Sequence, residues 1–144
     1  MPEMKPTVLV LCTGNSCRSI MAEALINHDL GAEWQAYSAG VEPAGMVSQL
    51  AVRVLSELGL ETTNLRSKSV DEFLDREDLD LVVTVCDHAH ETCPVFPRPV
   101  KQLHVPFEDP YRYRHAPEAI ALEKYRETRD KIRSELLPML RAWK

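Results

Sequence analysis

Short apolar runs alternate with amphipathic helical patterns along this chain. The first run, Val8 to Leu11, is continuous and is bounded by Pro6 and Gly14, which predicts a buried strand. The same reasoning predicts strands over residues 7–11, 34–38, 81–85 and 100–105. Helical patterns cover residues 19–30, 48–58, 69–74 and 117–143, and Pro138 is expected to kink the last of them.

Strands that alternate with helices favour a parallel sheet with helices packed on both of its faces. We therefore predict an α/β fold of three layers around a four-stranded parallel sheet. In such sheets ligands bind beyond the carboxyl ends of the strands. Three segments follow predicted strand ends and are expected to meet at this edge, namely those that begin at Cys12, at Cys86 and near Asp109.

Length and charge narrow the class of protein. A chain of 144 residues predicts one domain over residues 1–144 with a single core. The net charge of −5 argues against a nucleic acid or an anionic membrane as the partner. The sequence has no apolar stretch as long as a membrane span, and residues 1–6 have no signal-peptide layout. We expect a cytoplasmic protein whose four cysteines serve catalysis, redox chemistry or metal binding.

The strongest chemical signal is the segment Cys12-Thr13-Gly14-Asn15-Ser16-Cys17-Arg18-Ser19. Its small residues join a strand end to a helix start, so their backbone N–H groups can surround an anion. The guanidinium of Arg18 can hold two oxygens of a tetrahedral oxyanion. The same positive field is expected to lower the pKa of the Cys12 thiol, and the Ser19 hydroxyl to stabilise the thiolate. We predict that Cys12 is a nucleophile and that residues 13–19 bind the substrate.

A second reactive segment, Cys86-Asp87-His88-Ala89-His90-Glu91-Thr92-Cys93, follows the strand predicted over residues 81–85. In a helix, seven residues rise by about 10.5 Å, whereas a disulfide needs Cα atoms within about 7 Å. A Cys86–Cys93 disulfide therefore requires this segment to unwind, which its residues of low helix propensity favour. Zinc bound by Cys86, His88, His90 and Cys93 is the alternative, although these spacings do not match common structural zinc sites.

A candidate acid, Asp109, lies in the segment Phe107-Glu108-Asp109-Pro110-Tyr111. Pro110 restricts the backbone of Asp109 to an extended conformation, which can hold its carboxyl over the Cys12 loop. We predict that Asp109 protonates the leaving oxygen as Cys12 attacks. Glu108 is the alternative acid, and Tyr111 or Tyr113 is expected to wall the pocket.

Together these residues resemble the thioredoxin-coupled arsenate reductases, which are built on the low-molecular-weight protein tyrosine phosphatase fold. The resemblance is closest at residues 8–23, 82–94 and 106–110, and it extends to residues 37–40 and 67–69. It implies that Cys12 attacks arsenate, that Arg18 and the loop amides hold its oxygens, and that Asp109 protonates the departing hydroxide. It also implies that Cys86 then releases arsenite and forms a disulfide with Cys12. Cys93 next forms a Cys86–Cys93 disulfide, which thioredoxin reduces.

Two alternatives stay open beside this interpretation. A low-molecular-weight phosphatase needs only Cys12, Arg18 and Asp109, and the aromatic residues after Asp109 are similar to the phosphatase pattern. A thiol or metal sensor needs only the Cys86–Cys93 segment. The two cysteines of that segment discriminate between the enzymes, because a phosphatase has no use for them.

The resemblance also bears on ions and partners. Some family members bind a monovalent cation near the positions of Asn15, Glu23 and Ser38, and Lys68 can supply that charge in this chain. We therefore expect no bound metal and no cofactor. The implied partners are arsenate and thioredoxin, with no nucleic acid and no membrane.

Overall fold

The structure is a computed structural model that describes residues 5–97 and 99–143. Residues 1–4, which belong to the N-terminal segment considered above, and residues 98 and 144 lie outside the described part. Four strands form one parallel sheet in the order β2-β1-β3-β4. They are β1 Thr7–Cys12, β2 Gln35–Gly40, β3 Leu81–Thr84 and β4 Lys101–His104. Every residue of β1 is buried, as expected for a central strand covered on both faces. The predicted α/β fold is confirmed.

Helices connect and cover these strands. The described residues form α1 Arg18–Asp29, α2 Gln49–Ser56, α3 Asp87–Glu91, α4 Glu118–Lys131 and α5 Leu137–Ala142, with 3₁₀ turns at Val70–Phe73 and Pro110–Tyr113. The side chain of Ser69 accepts a hydrogen bond from the backbone N–H of Asp71, because the turn that it caps is a tight 3₁₀ turn rather than an α-helix. No helix in the described residues is long and apolar enough to cross a membrane.

The strand register brings the reactive segments to one edge of the sheet. Cys12 pairs with Gly40 on β2, and its neighbour Leu11 pairs with Thr84 on β3. Thr84 in turn pairs with His104 at the end of β4. Because all four strands run in the same direction, the segments that follow them leave from the same carboxyl edge.

The C-terminal helix differs from the prediction of one helix kinked at Pro138. A π-helical turn, Ile132–Leu136, separates α4 from α5, and Pro138 lies in the first turn of α5. Proline has no N–H group and its ring excludes the carbonyl four residues earlier, so the helix widens in the turn before it. The indole Nε1 of Trp34 donates to the carbonyl oxygen of Leu140 at 3.1 Å. This hydrogen bond fixes α5 to the residue that directly precedes β2.

Candidate active site

The loop between β1 and α1 forms a ring of inward-pointing amides. The carbonyl oxygens of Thr13, Gly14 and Ser16 accept hydrogen bonds from the backbone N–H groups of residues 42, 44 and 48, at 2.9 to 3.0 Å. In a trans peptide the C=O and the following N–H point in opposite directions. The N–H groups of residues 14, 15 and 17 are therefore directed away from the 42–48 segment, towards the inside of the loop. This arrangement suits a bound oxyanion.

The thiol of Cys12 lies at the base of this loop and has two polar neighbours. The backbone N–H of Asn15 donates to Cys12 Sγ at 3.2 Å, and Ser19 Oγ lies 2.8 Å from the same sulfur. Asn15 Nδ2 donates to Ser19 Oγ at 2.7 Å, which leaves the hydroxyl hydrogen of Ser19 free to point at the sulfur. Ser19 thus has the geometry that the sequence predicted for it.

The pKa of the Cys12 thiol differs from the sequence expectation. Burial removes the thiolate from water and raises the pKa above its ordinary value. Hydrogen bonds from Ser19 and Asn15 and the charge of Arg18 act in the opposite direction, but they do not outweigh burial. The prediction of a lowered pKa was therefore wrong, because the sequence shows which positive groups lie near Cys12 but not how deeply its sulfur is buried.

Asn15 is turned away from the cavity and holds the loop from behind. Its backbone has a φ of +49°, in the left-handed region that Asn tolerates better than most residues. Besides Ser19, its Nδ2 donates to Ser38 Oγ at 3.0 Å, and its Oδ1 accepts from the backbone N–H of Lys68 at 2.9 Å. A Cβ at Gly40 would lie 2.6 Å from the carbonyl oxygen of Thr13, so only glycine allows β2 to end this close to the loop.

A buried charge pair completes this support. Ser38 Oγ donates to Glu23 Oε1 at 2.7 Å, and Lys68 Nζ lies 3.4 Å from the same carboxylate oxygen. Both charged side chains are about nine-tenths buried. The ammonium of Lys68 therefore lies beside the residues considered above for a monovalent cation, and it neutralises Glu23 there.

Arg18 and Asp109 face each other across the mouth of the loop. Arg18 Nη1 donates to the carbonyl oxygen of Phe107 at 3.1 Å, and its Nη2 lies 3.5 Å from Asp109 Oδ2. Asp109 has the extended backbone that Pro110 was predicted to impose, and its Oδ1 accepts from the backbone N–H of Tyr111. Its side chain is 42% exposed and borders the cavity, where a leaving group can reach it.

The neighbours of Asp109 divide into two groups. Tyr111 borders the same cavity as Asp109. Tyr113 and Glu108 instead contact each other, with the tyrosine hydroxyl donating to Glu108 Oε1 at 2.8 Å, and both border a separate, smaller cavity. Of the alternatives considered above, the geometry favours Asp109 as the acid and Tyr111 as the wall.

Cys86 lies directly behind the loop. Its Sγ is 3.3 Å from Thr13 Oγ1 and also accepts a hydrogen bond from the backbone N–H of Ala89, which makes it the N-cap of α3. Cys93 follows the end of α3 and is half-buried, and burial raises the pKa of its thiol. All four cysteines are free thiols in this structure. The structure thus holds one downstream thiol against the oxyanion loop and keeps the other beyond a helix.

The histidines of α3 do not gather with the cysteines into a metal site. His88 Nε2 lies 3.0 Å from Glu42 Oε1, and the ring of His90 stacks on that of His104 with centroids 4.1 Å apart. Within residues 5–97 and 99–143, no group of three or more Cys, His, Asp or Glu side chains is arranged to hold a metal ion. The zinc alternative has no support from this geometry.

Cys17 has a partner that the sequence did not reveal. Its Sγ lies 3.2 Å from the hydroxyl of Tyr125 on α4, and the hydroxyl of Ser48 donates to the same tyrosine oxygen at 3.1 Å. Burial raises the pKa of the Cys17 thiol. Tyr125 is separated from the loop by more than a hundred residues and occupies an ordinary core position of an amphipathic helix, so no local signal could have identified it.

A cavity of about 720 Å³ lies over the oxyanion loop. Seven of the predicted site residues border it, namely Cys12, Thr13, Gly14, Ser16, Cys17, Arg18 and Asp109. Asn15 and Ser19, whose side chains lie behind the loop, do not border it, and neither do Cys86 and Cys93. Apolar and basic side chains form the outer part of the cavity: Met46, Val47, Leu50, Tyr111 and Arg114. The loop can hold a small oxyanion, and the outer part offers room for a larger group attached to it.

Comparison with known proteins agrees with this geometry. The family model for low molecular weight phosphotyrosine protein phosphatases matches residues 7–143. An arsenate reductase of Bacillus cereus (strain ZK / E33L) is 46% identical over 109 residues, which cover 75% of this chain and 79% of that protein. A low molecular weight protein tyrosine phosphatase from T. tengcongensis is 32% identical, with a TM-score of 0.72, and the match covers 90% of this chain and 94% of that chain. A thioredoxin-dependent arsenate reductase from Corynebacterium glutamicum is 28% identical, with a TM-score of 0.70, over 97% of this chain and 64% of that chain.

Proposed function

The chain belongs to the low molecular weight phosphotyrosine protein phosphatase family, and we propose that it acts as an arsenate reductase that forms a covalent adduct on Cys12. The observation that carries this proposal is the second thiol, Cys86, whose sulfur lies 3.3 Å from the hydroxyl of Thr13 in the oxyanion loop. Hydrolysis of an ester needs one thiol at this loop, whereas a two-electron reduction of the bound anion needs a second thiol within reach.

The first step forms a bond between sulfur and arsenic. Arsenate binds with its oxygens on the loop amides and on the guanidinium of Arg18, which exchanges its contact with Asp109 for the anion. The Cys12 thiol gives its proton to an oxygen of the bound arsenate dianion, its sulfur attacks arsenic, and one As–O bond breaks. Asp109, at the mouth of the cavity, supplies the proton with which the departing oxygen leaves as water. Because burial raises the pKa of Cys12, the donors from Ser19 and Asn15 serve to stabilise the thiolate once it forms.

The second step transfers two electrons to arsenic. The Cys86 thiolate attacks Cys12 Sγ, a sulfur–sulfur bond forms, and the electron pair of the S–As bond stays on arsenic. Arsenic(V) thereby becomes arsenic(III) and leaves as arsenite, while the sulfurs of Cys12 and Cys86, which together lose two electrons, become a disulfide. The contact of Cys86 with Thr13 supports this step, because it holds the attacking sulfur against the loop that carries the adduct.

The last steps regenerate the enzyme. Cys93 attacks Cys86 in the Cys12–Cys86 disulfide, releases the Cys12 thiolate and leaves a Cys86–Cys93 disulfide. We propose that thioredoxin then reduces this disulfide by the same exchange chemistry, and that the protein works in the cytoplasm. A reducing compartment fits four cysteines that are free in the structure.

The test separates the steps by counting arsenite. The native protein with NADPH, thioredoxin reductase and thioredoxin should oxidise NADPH continuously when arsenate is added. The Cys93→Ser variant should release about one arsenite per protein and then stop with a Cys12–Cys86 disulfide, because its first two thiols remain. The Cys12→Ser variant should release none. Continuous turnover by Cys93→Ser would refute the three-cysteine mechanism.

A phosphatase activity is the second candidate, and the size of the cavity favours it. About 720 Å³ is far more than a tetrahedral oxyanion fills, and Met46, Leu50 and Tyr111 offer apolar walls to the organic part of a phosphate ester. Such an ester needs only the loop, Cys12 and Asp109. Hydrolysis of p-nitrophenyl phosphate should therefore persist in Cys86→Ser and disappear in Cys12→Ser, and retention in Cys12→Ser would exclude this candidate.

A further inference from the structure

The helix between Cys86 and Cys93 is too short to be stable by itself. Helix α3 has five residues, Asp87–Glu91, whereas helices shorter than about 12 residues are marginal in water. Aspartate and histidine are also poor helix formers. Within the segment, Cys86 Sγ caps the backbone N–H of Ala89, and Ala89 is its one fully buried side chain. Contacts with other parts of the fold must supply the rest of its stability.

His104, at the end of β4, supplies two of these contacts. Its Nε2 lies 2.9 Å from Asp87 Oδ1 at the start of α3, and its ring stacks on His90 one turn later, with an angle of 20° between the planes. A carboxylate only accepts hydrogen bonds, so Nε2 carries the hydrogen in this contact. The other ring nitrogen, Nδ1, lies 2.8 Å from the hydroxyl of Thr84, which fixes the orientation of the ring.

A weaker contact holds the opposite side of the helix. His88 Nε2 lies 3.0 Å from Glu42 Oε1, but the two side chains are 43% and 70% exposed. In the other contact Asp87 is 79% exposed, but the His104 side chain itself is only 25% exposed and is anchored to the sheet through Thr84. Of the two imidazole–carboxylate contacts, the one made by His104 is therefore the stronger restraint on α3.

We propose that His104 is a positioning residue, which keeps the Cys86–Cys93 segment helical in the reduced protein and so keeps Cys93 away from Cys86. This inference rests on the proposed function, in which these two thiols must meet. Formation of the Cys86–Cys93 disulfide requires α3 to unwind, and unwinding separates Asp87 and His90 from His104. The contacts of one ring thus oppose disulfide formation and favour the return to the helix after reduction.

The test removes the ring and measures the segment without arsenate. In a Cys12→Ser background, diamide oxidises Cys86 and Cys93 to a disulfide, which peptide mapping quantifies over time. The His104→Ala variant should form this disulfide about tenfold faster, and the backbone amides of residues 89–92 should exchange hydrogen about tenfold faster in its reduced form. The His104→Phe variant keeps a ring for stacking on His90 and should fall between native and alanine values.

Two controls make the result specific. His28→Ala removes an imidazole–carboxylate contact with Asp29 at the end of α1 and should change both rates less than twofold. If His104→Ala does not fold, Asp87→Asn removes the charge of a highly exposed partner and should accelerate both processes severalfold. The proposal is overturned if His104→Ala behaves like His28→Ala, or if the amides of β1 exchange faster together with those of α3. Arsenite counting does not enter either outcome, so failure of the proposed function remains separately visible.

Discussion

Replacement of Asn15 tests how the oxyanion loop is held in shape. Its side chain makes three hydrogen bonds to groups that are themselves buried, namely Ser19 Oγ, Ser38 Oγ and the backbone N–H of Lys68. Its own backbone lies in the left-handed region at a φ of +49°. Alanine at this position removes the hydrogen bonds and adds backbone strain, whereas glycine removes the hydrogen bonds alone.

The expected magnitudes follow from these two contributions. A hydrogen bond contributes about 1 kcal/mol net to stability, so the loss of three costs about 3 kcal/mol in either variant. Left-handed backbone costs a residue with a Cβ about 1 to 2 kcal/mol, and glycine avoids this strain. Glycine in turn loses more conformational entropy on folding, which offsets part of that advantage. We therefore expect Asn15→Gly to be more stable than Asn15→Ala by about 0.5 to 1 kcal/mol. For a chain of this size, 3 kcal/mol corresponds to a fall in Tm of about 10 °C.

Urea unfolding of the native protein and the two variants measures the loss of unfolding free energy in each variant and the difference between them. Asn27 provides a matched control. Asn27 also makes two side-chain hydrogen bonds, both to the backbone of Ala36, but it lies inside helix α1. There glycine should be less stable than alanine by about 1 kcal/mol, the opposite order. If Asn15→Ala costs less than 1 kcal/mol, or if glycine is no better than alanine at position 15, the structural account of the loop is incorrect.

Three further predictions concern charged groups. Asp109→Asn should lower kcat by about 100-fold or more, since it removes the general acid, and a loss below tenfold in steady-state assays would contradict this role. Hydrogen bonds from Arg126 lower the pKa of Glu57 to about 2. Its stabilising effect is therefore complete above pH 4.5 and is lost as the pH falls towards 2, so urea midpoints of Glu57→Gln should fall less steeply over that range than those of the native protein. Lys68→Met should cost about 2 kcal/mol, because it leaves the mostly buried Glu23 carboxylate unpaired, and the double variant with Glu23→Gln should recover part of that loss in the same assay.

The sequence predicted the elements around the loop because their signals are local. A continuous apolar run followed by small residues and an amphipathic pattern leaves few alternatives to strand, loop and helix, and β1 and α1 were found within one residue of the predicted bounds. The C-terminal segment was predicted less well. Pro138 signalled a disruption, but the chain absorbed it as a π-helical turn on the N-terminal side of the proline.

In the active site, too, features with local sequence signals were predicted and features that depend on long-range contacts were not. The sequence by itself determined which groups have reactive chemistry, and the alternation of strands and helices determined that Cys12, Cys86 and Asp109 leave from one edge of a parallel sheet. Only the tertiary structure decided the depth of the Cys12 sulfur, which raises its pKa, and the direction of the Asn15 side chain, which points away from the cavity. It alone revealed Tyr125 beside Cys17 and His104 beside α3. The physical reason is that burial and hydrogen bonding depend on atoms brought together from distant parts of the chain, whereas sequence patterns report the preferences of neighbouring residues.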